Sequence, residues 1–270
     1  MLKRVLGAAL ICAFYAMPSY AASQEEARSH YDAGRYDEAA DMAASLKTAD
    51  GFLLASKSLI GKTSLTLRED RSIEDIERAT KYAQKAFTLE PELVAAHLQY
   101  STSLGLRGRM VSKVRAQMEG LPEKASVQLE LAYKLAPDDA WTNAFLAAWH
   151  IEIVRNGGAT LGKAMYGAEL EIGFAMYDRA LTLEPKSPVL PYEYAQFILA
   201  LDYWEHRERA SELLALSLSY EAKNHQERAI HGRVRDLQAA LAADDGKAVL
   251  ALIAKHLGTK KIKLPRKPRK

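Results

Sequence analysis

Cysteine is almost absent from this chain of 270 residues: there is one, Cys12. A single thiol excludes an intrachain disulfide and any CxxC redox or zinc motif. No HExxH occurs, and none of the seven histidines stands one helical turn from another. His225 and His231, six apart, have a poor spacing for sharing a metal on a helix. No phosphate-cradling glycine loop is present either. Gly157 with Gly158, and Gly105 with Gly108, lack the following Lys-Ser or Lys-Thr that such a loop requires, so they read as helix ends. Glu169 and Glu171 near Tyr166 resemble an acid and base pair only on paper, because residues two apart on a helix point in different directions. The expectation is therefore no catalytic residue, no metal and no cofactor, which is to say not an enzyme.

Long apolar runs are also lacking, with one exception. Lys3 and Arg4 precede an apolar stretch from Val5 to Met17, which Pro18 closes, and small residues follow at Ser19 and Ala21. A spanning helix needs about 20 apolar residues. The shorter run has the order of a secretory signal peptide, with cleavage expected after Ala21 and a periplasmic destination. Cys12 follows Ala9, Leu10 and Ile11, and bulky Ile11 does not suit a lipoprotein site. No Asn-x-Ser or Asn-x-Thr occurs. The mature chain has no cysteine, so its stability must come from a core. At this length a chain buries roughly 70 to 75 % of the surface it exposes unfolded.

Charge is unevenly placed. The formal net charge is +3, of which Lys3 and Arg4 supply two, while Lys260, Lys261, Lys263, Arg266, Lys267, Arg269 and Lys270 crowd the last residues. Removing those nine cations leaves a body of about −6, an acidic globule with a basic string. For an exported protein nucleic acid is not the expected partner of that string. An anionic envelope surface is, alongside the plain reading of a solubilising tail.

What the chain has in abundance is a repeated spacing. Ala79, Ala83, Ala86 and Pro91 follow steps of four, three and five. The steps recur at Ala125, Leu129, Ala132, Pro137 and at Gly173, Tyr177, Ala180, Pro185, and a fourth copy, Ala39, Ala43, Leu46, Gly51, ends on glycine. Steps of four and three keep small residues on one helical face, where a second helix can approach closely. Proline then ends the helix and starts the next. Nine and ten residues after each proline come a large residue and a small one: Tyr100 with Ser101, Leu146 with Ala147, Tyr194 with Ala195.

These features resemble the tetratricopeptide-repeat family, as do Gly34, Tyr36 and Ala39 in AGRYDEAADMA. The resemblance covers most of residues 24 to 220. It implies an all-α, right-handed superhelical solenoid of antiparallel helix pairs whose first helices line a concave groove for a protein or peptide partner. Register then nominates Ala95, Leu98 and Thr102; Trp141, Ala144 and Ala148; and Val189, Tyr192 and Gln196. Trp141, Phe145 and Trp149 also share a four-residue step, as an apolar pocket or as packing against the next repeat. A second implied role is a ligand-binding accessory to a substrate-uptake transporter, similar to repeat proteins that accompany such systems.

Two departures stand out. The family repeat is 34 residues, yet Pro91 to Pro137 is 46 and Pro137 to Pro185 is 48. The excess reads as lengthened helices with loops at 120–122 and 156–158. After Leu218 the pattern fades. Gln226 to Leu241 has helical spacing, and Asp244 or Asp245 can cap a last helix from Lys247 to Leu257 that stops at Gly258. The domain plan is a signal peptide at 1–21, a solenoid with capping helices at 22–258 and a disordered basic tail at 259–270.

Overall fold

The computed structural model describes residues 17–183 and 186–267. Most of the stretch expected to direct export, together with Pro185, Arg269 and Lys270, lies outside the described residues. The described residues form fourteen α-helices and no strand. In chain order they are α1 (Met17–Asp32), α2 (Tyr36–Ser45), α3 (Ala49–Leu65), α4 (Ile73–Leu89), α5 (Val94–Met110), α6 (Lys113–Met118), α7 (Leu121–Leu135), α8 (Ala140–Gly157), α9 (Ala159–Tyr166), α10 (Leu170–Leu183), α11 (Val189–Leu201), α12 (Tyr203–Ser219), α13 (His225–Ala242) and α14 (Gly246–Leu257). The helix starts follow local chemistry. Side chains of Thr48, Ser72, Ser112, Asp139, Asp202, Asn224 and Asp245 accept from backbone N–H groups that a helix start leaves unpaired.

Antiparallel pairs form between α1 and α2, α3 and α4, α5 and α7, α8 and α10, and α11 and α12. The small residues that set the repeat lie at these contacts. Ala79, Ala83, Ala86, Ala125, Leu129, Ala132, Tyr177 and Ala180 are all buried. The approach is close enough for side chains to reach the facing backbone: Ser56 Oγ donates to Ala79 O at 2.9 Å and Ser101 Oγ to Ala125 O at 3.1 Å. Gly173 plays the corresponding part on α10, where an added methyl would stand 2.9 Å from Ile151 Cγ1 and 3.1 Å from Ala147 O. The turns recur too. His97 Nε2 lies 2.8 Å from Pro91 O, and Asn143 Nδ2 donates to Pro137 O at 2.8 Å, each six residues after its proline.

The two long repeats, expected as lengthened helices with loops at 120–122 and 156–158, instead place a separate short helix, α6 or α9, after a first helix of about the same length as α3. Gly120 and Gly158, at φ +62° and +86°, make the reversals beside them, in a region where only glycine is comfortable.

First helices α3, α5, α8 and α11 lie side by side in one row. The last pair does not continue that row outward. Helix α13 packs on α11 and α12 and also on α1 and α3, and α14 packs on α11 and α3. The chain therefore closes on itself. Tyr31 OH donates to Gln226 Oε1 at 2.7 Å, and Tyr36 OH meets His225 Nδ1 at 3.2 Å. Gly34 has no room for a side chain, because a methyl there would stand 2.5 Å from the His225 ring.

Two arginines complete the closure by capping helix ends across it. Arg233 on α13 donates to Ser64 O and Leu65 O, the last carbonyls of α3. Arg71, just before α4, donates to His256 O at 3.2 Å and Leu257 O at 3.1 Å, the last carbonyls of α14, and to Thr66 O. A buried cation at a helix C-terminus satisfies both the orphan carbonyls and the helix dipole. Burial, followed by the nearby Arg109, Arg233 and Arg68, lowers the Arg71 pKa to about 10, so it stays charged at neutral pH. Gly258, at φ +67°, is where Arg71 sits: a methyl there would come 1.6 Å from Nη1.

Arg71→Met is expected to lower stability by about 2–4 kcal/mol, since it strands buried carbonyls, and to speed hydrogen exchange in α13 and α14 more than in α4 and α5. Exchange rising equally throughout would contradict the clamp. His256 supplies a pH signature of the same junction. Burial, then Arg233 and Lys255, depress its pKa to about 3. Its folded pKa lies below the unfolded value of about 6.5, so its contribution is present above that value and is lost as pH falls toward 3, by about 1.4 kcal/mol per unit. His256→Gln should flatten the urea-midpoint profile between pH 6.5 and 4.5 relative to the unaltered chain.

Candidate functional site

The nine positions nominated by register fall on α5, α8 and α11, and the structure divides them by depth. The middle residue of every trio is buried: Leu98 at 4 %, Ala144 at 1 % and Tyr192 at 3 % exposure. Gln196 is buried as well. Leu98 packs with Leu129, Ala132 and Leu146, and the Tyr192 ring lies 6.3 Å from that of His256 on α14. These four side chains belong to the interior. Thr102 and Ala148 are half-buried, and so are Ala95, Trp141 and Val189, which occupy matching places at the starts of α5, α8 and α11.

Trp141 is the largest side chain of that row. It packs against both the core of the third pair and the larger core built around α11, with Phe145 at 6.0 Å between ring centroids. A tryptophan spanning two clusters while keeping part of its face in solvent has the amphipathic character of an interface anchor. Trp149 is committed elsewhere: its Nε1 donates to Pro122 O at 3.2 Å, and its ring meets Tyr166 edge to face. The four-residue step therefore does not make one pocket.

Charges inside the row had no periodic signal to betray them. Glu152 on α8 accepts from Arg155 at 2.7 Å and lies 3.5 Å from Arg109 of α5. Burial opposes its ionisation, but the two arginines outweigh that and hold its carboxyl below the usual range. On α11, burial pushes Glu193 up to about 7, with Arg109 pulling the other way. An i,i+3 Glu-Arg pair on the apolar helix α8 was the one available hint. Glu169, half of the pair weighed as acid and base, is bound to Lys163 at 2.8 Å, and its backbone N–H donates to His150 Nδ1. His225 and His231 turn to separate partners, Tyr36 and Ser217 O. Among the described residues no group of three metal-ligating side chains converges, and no helix is long and apolar enough to cross a membrane.

Residues 259–267 of the basic tail form no helix or strand; Ile262 and Leu264 rest on the core, and Trp204 Nε1 donates to Pro265 O at 2.9 Å. A two-residue alternation of apolar side chains is enough to lay an extended segment on a surface. Lys260, Lys261, Lys263, Arg266 and Lys267 remain exposed, with Lys267 Nζ 4.9 Å from the Trp204 ring centroid.

No protein-family model and no curated protein matches the chain. Among solved structures it is similar to a thermophilic TPR protein of Thermus thermophilus, with a TM-score of 0.58 over 80 % of this chain and 98 % of that one, at 15 % sequence identity. Identity at that level speaks for the fold alone. Sequential antiparallel pairs, small residues at each crossing and proline-marked turns agree with it, and the chain is an all-α solenoid of the tetratricopeptide-repeat fold.

Proposed function

We propose that this protein is a non-catalytic interaction module, exported to the periplasm, that holds a protein or peptide partner on the half-exposed row at the starts of α5, α8 and α11. The fold's usual use as a protein-binding scaffold supports the class of function, as an analogy and no more. The observation that carries the site is Trp141: an aromatic anchor, partly exposed, flanked by Ala95 and Val189 at matching positions. Export rests on the cationic start, the apolar run and the small residues near Ala21. The exposed cations of the tail give the molecule a second contact, to an anionic envelope surface.

One observation favours a different use. Helices α13 and α14 cover part of the first-helix row, which suits a small enclosed ligand better than a long peptide and so supports the accessory role beside an uptake transporter. Affinity purification of the mature chain from its native envelope, with mass spectrometry of proteins and small molecules, separates the two.

Trp141→Ala is expected to weaken a co-purifying partner at least tenfold while the circular dichroism spectrum stays helical. Collapse of the spectrum would assign Trp141 to the core. Replacing Lys260, Lys261, Lys263, Arg266 and Lys267 by Gln, which leaves Ile262 and Leu264 to pack, should weaken the salt-sensitive adhesion of the chain to anionic vesicles. Undiminished salt sensitivity would remove the tail from the account.

A further inference from the structure

The two short helices that lengthen consecutive repeats have an inverted pattern. Their bases are fixed and their outer faces are apolar. In α6, Val114 is 70 % and Met118 83 % exposed; in α9, Leu161 is 52 % and Met165 54 % exposed, with the same four-residue spacing in both. The helices stand together. Tyr166 OH at the end of α9 donates to Gln117 Oε1 of α6 at 2.5 Å, and Lys113 Nζ of α6 donates to Asn156 O just before α9 at 2.9 Å. Gly162 seats α9 on α8, where an added methyl would meet Ile153 and Val154 at 3.4 and 3.5 Å. Water-facing helices ordinarily turn such residues inward. Four large apolar side chains turned outward on anchored helices mark a contact surface.

Charge identifies the kind of contact. Helices α6 and α9 contain Lys113, Arg115 and Lys163, all exposed, and no carboxylate. Glu119 and Glu169, which pair with Arg115 and Lys163, stand beyond the helix ends. Four side chains cannot supply the ~800 Å² per partner of a stable protein interface. A bilayer requires no such complementary area: short apolar side chains sink to the acyl boundary while cations beside them meet anionic headgroups. We propose that α6 and α9 together form a docking pad for the surface of an anionic phospholipid bilayer. The pad is separate from the basic tail and does not depend on the partner row at Trp141.

The structure provides its own reporter, because Trp149 packs edge to face on Tyr166 at the base of α9. The full mature chain would be titrated with phosphatidylglycerol/phosphatidylethanolamine vesicles and with phosphatidylcholine vesicles, each with and without brominated acyl chains. Partitioning is read by sedimentation and by tryptophan quenching. The expected result is quenching with the anionic vesicles, at least tenfold weaker partitioning for Val114→Ser/Met118→Ser/Leu161→Ser/Met165→Ser, and a comparable loss for Arg115→Gln/Lys163→Gln, which keeps the Lys113 contact to Asn156 O, with unchanged circular dichroism. The tail variant with five glutamines should keep its quenching. Equal partitioning of the serine variant and the unaltered chain would overturn the proposal. So would equal binding to neutral vesicles, or a dimer in solution that the same four substitutions disperse, which would assign the pad to a second copy.

Discussion

The guanidinium of Arg71, inserted between the first repeats and the end of the last helix, sets the form of the molecule. A solenoid is by nature open-ended, each pair contacting only its neighbours, and its terminal pairs need some device to cover their apolar faces. Here the two ends serve one another. Helix α14 ends against Arg71, α3 ends against Arg233, and both arginines stand where helix carbonyls would otherwise be unpaired. Gly34 and Gly258 leave the space in which His225 and Arg71 lie. The depth of the first-helix row varies along it: Tyr192 is interior, with α14 beside it, while Trp141 on α8 keeps part of its surface exposed.

Most of the helix pairing was legible in the sequence, since it is a local matter. Steps of four, three and five place Ala79, Ala83, Ala86 and their counterparts on one face, and the crossing chemistry follows from their size. The caps at Asp139 and Asp245 and the stop at Gly258 are equally local. The closure was not legible. Arg71 and Leu257 are 186 residues apart, and nothing in the neighbourhood of either announces the other. Register placed the nominated residues on α5, α8 and α11 but could not separate Leu98, Ala144 and Tyr192 from Trp141, because which turn of a first helix is covered depends on packing between helices, with Leu129 and Leu146 against Leu98 and α14 beside Tyr192. The partly buried carboxyls of Glu152 and Glu193 escaped for a related reason: apolar periodicity says where a face is, and is silent about a carboxyl set inside it.

The lengthened repeats show what variation on a regular frame permits. Inserting residues between the two helices of a pair leaves the crossing at Ala125 or Gly173 intact, so α6 and α9 can be added without disturbing the core. An addition of that kind is free to serve the surface. The apolar face of the two short helices, the exposed cations of the packed tail and the Trp141 row lie on different elements, which makes them separable by substitution.

The central claim is that the chain is closed end to end, and one distance tests it. The chain has one cysteine, Cys12, so with Cys12→Ala spin labels can be placed at Glu69→Cys and Lys260→Cys, both exposed positions beside the Arg71 junction, and their separation measured by pulsed electron resonance. Closure predicts a single short, narrow distance distribution that broadens and lengthens in the Arg71→Met background. A broad, long distribution in the unaltered background, indifferent to that substitution, would contradict it and return the protein to an open solenoid.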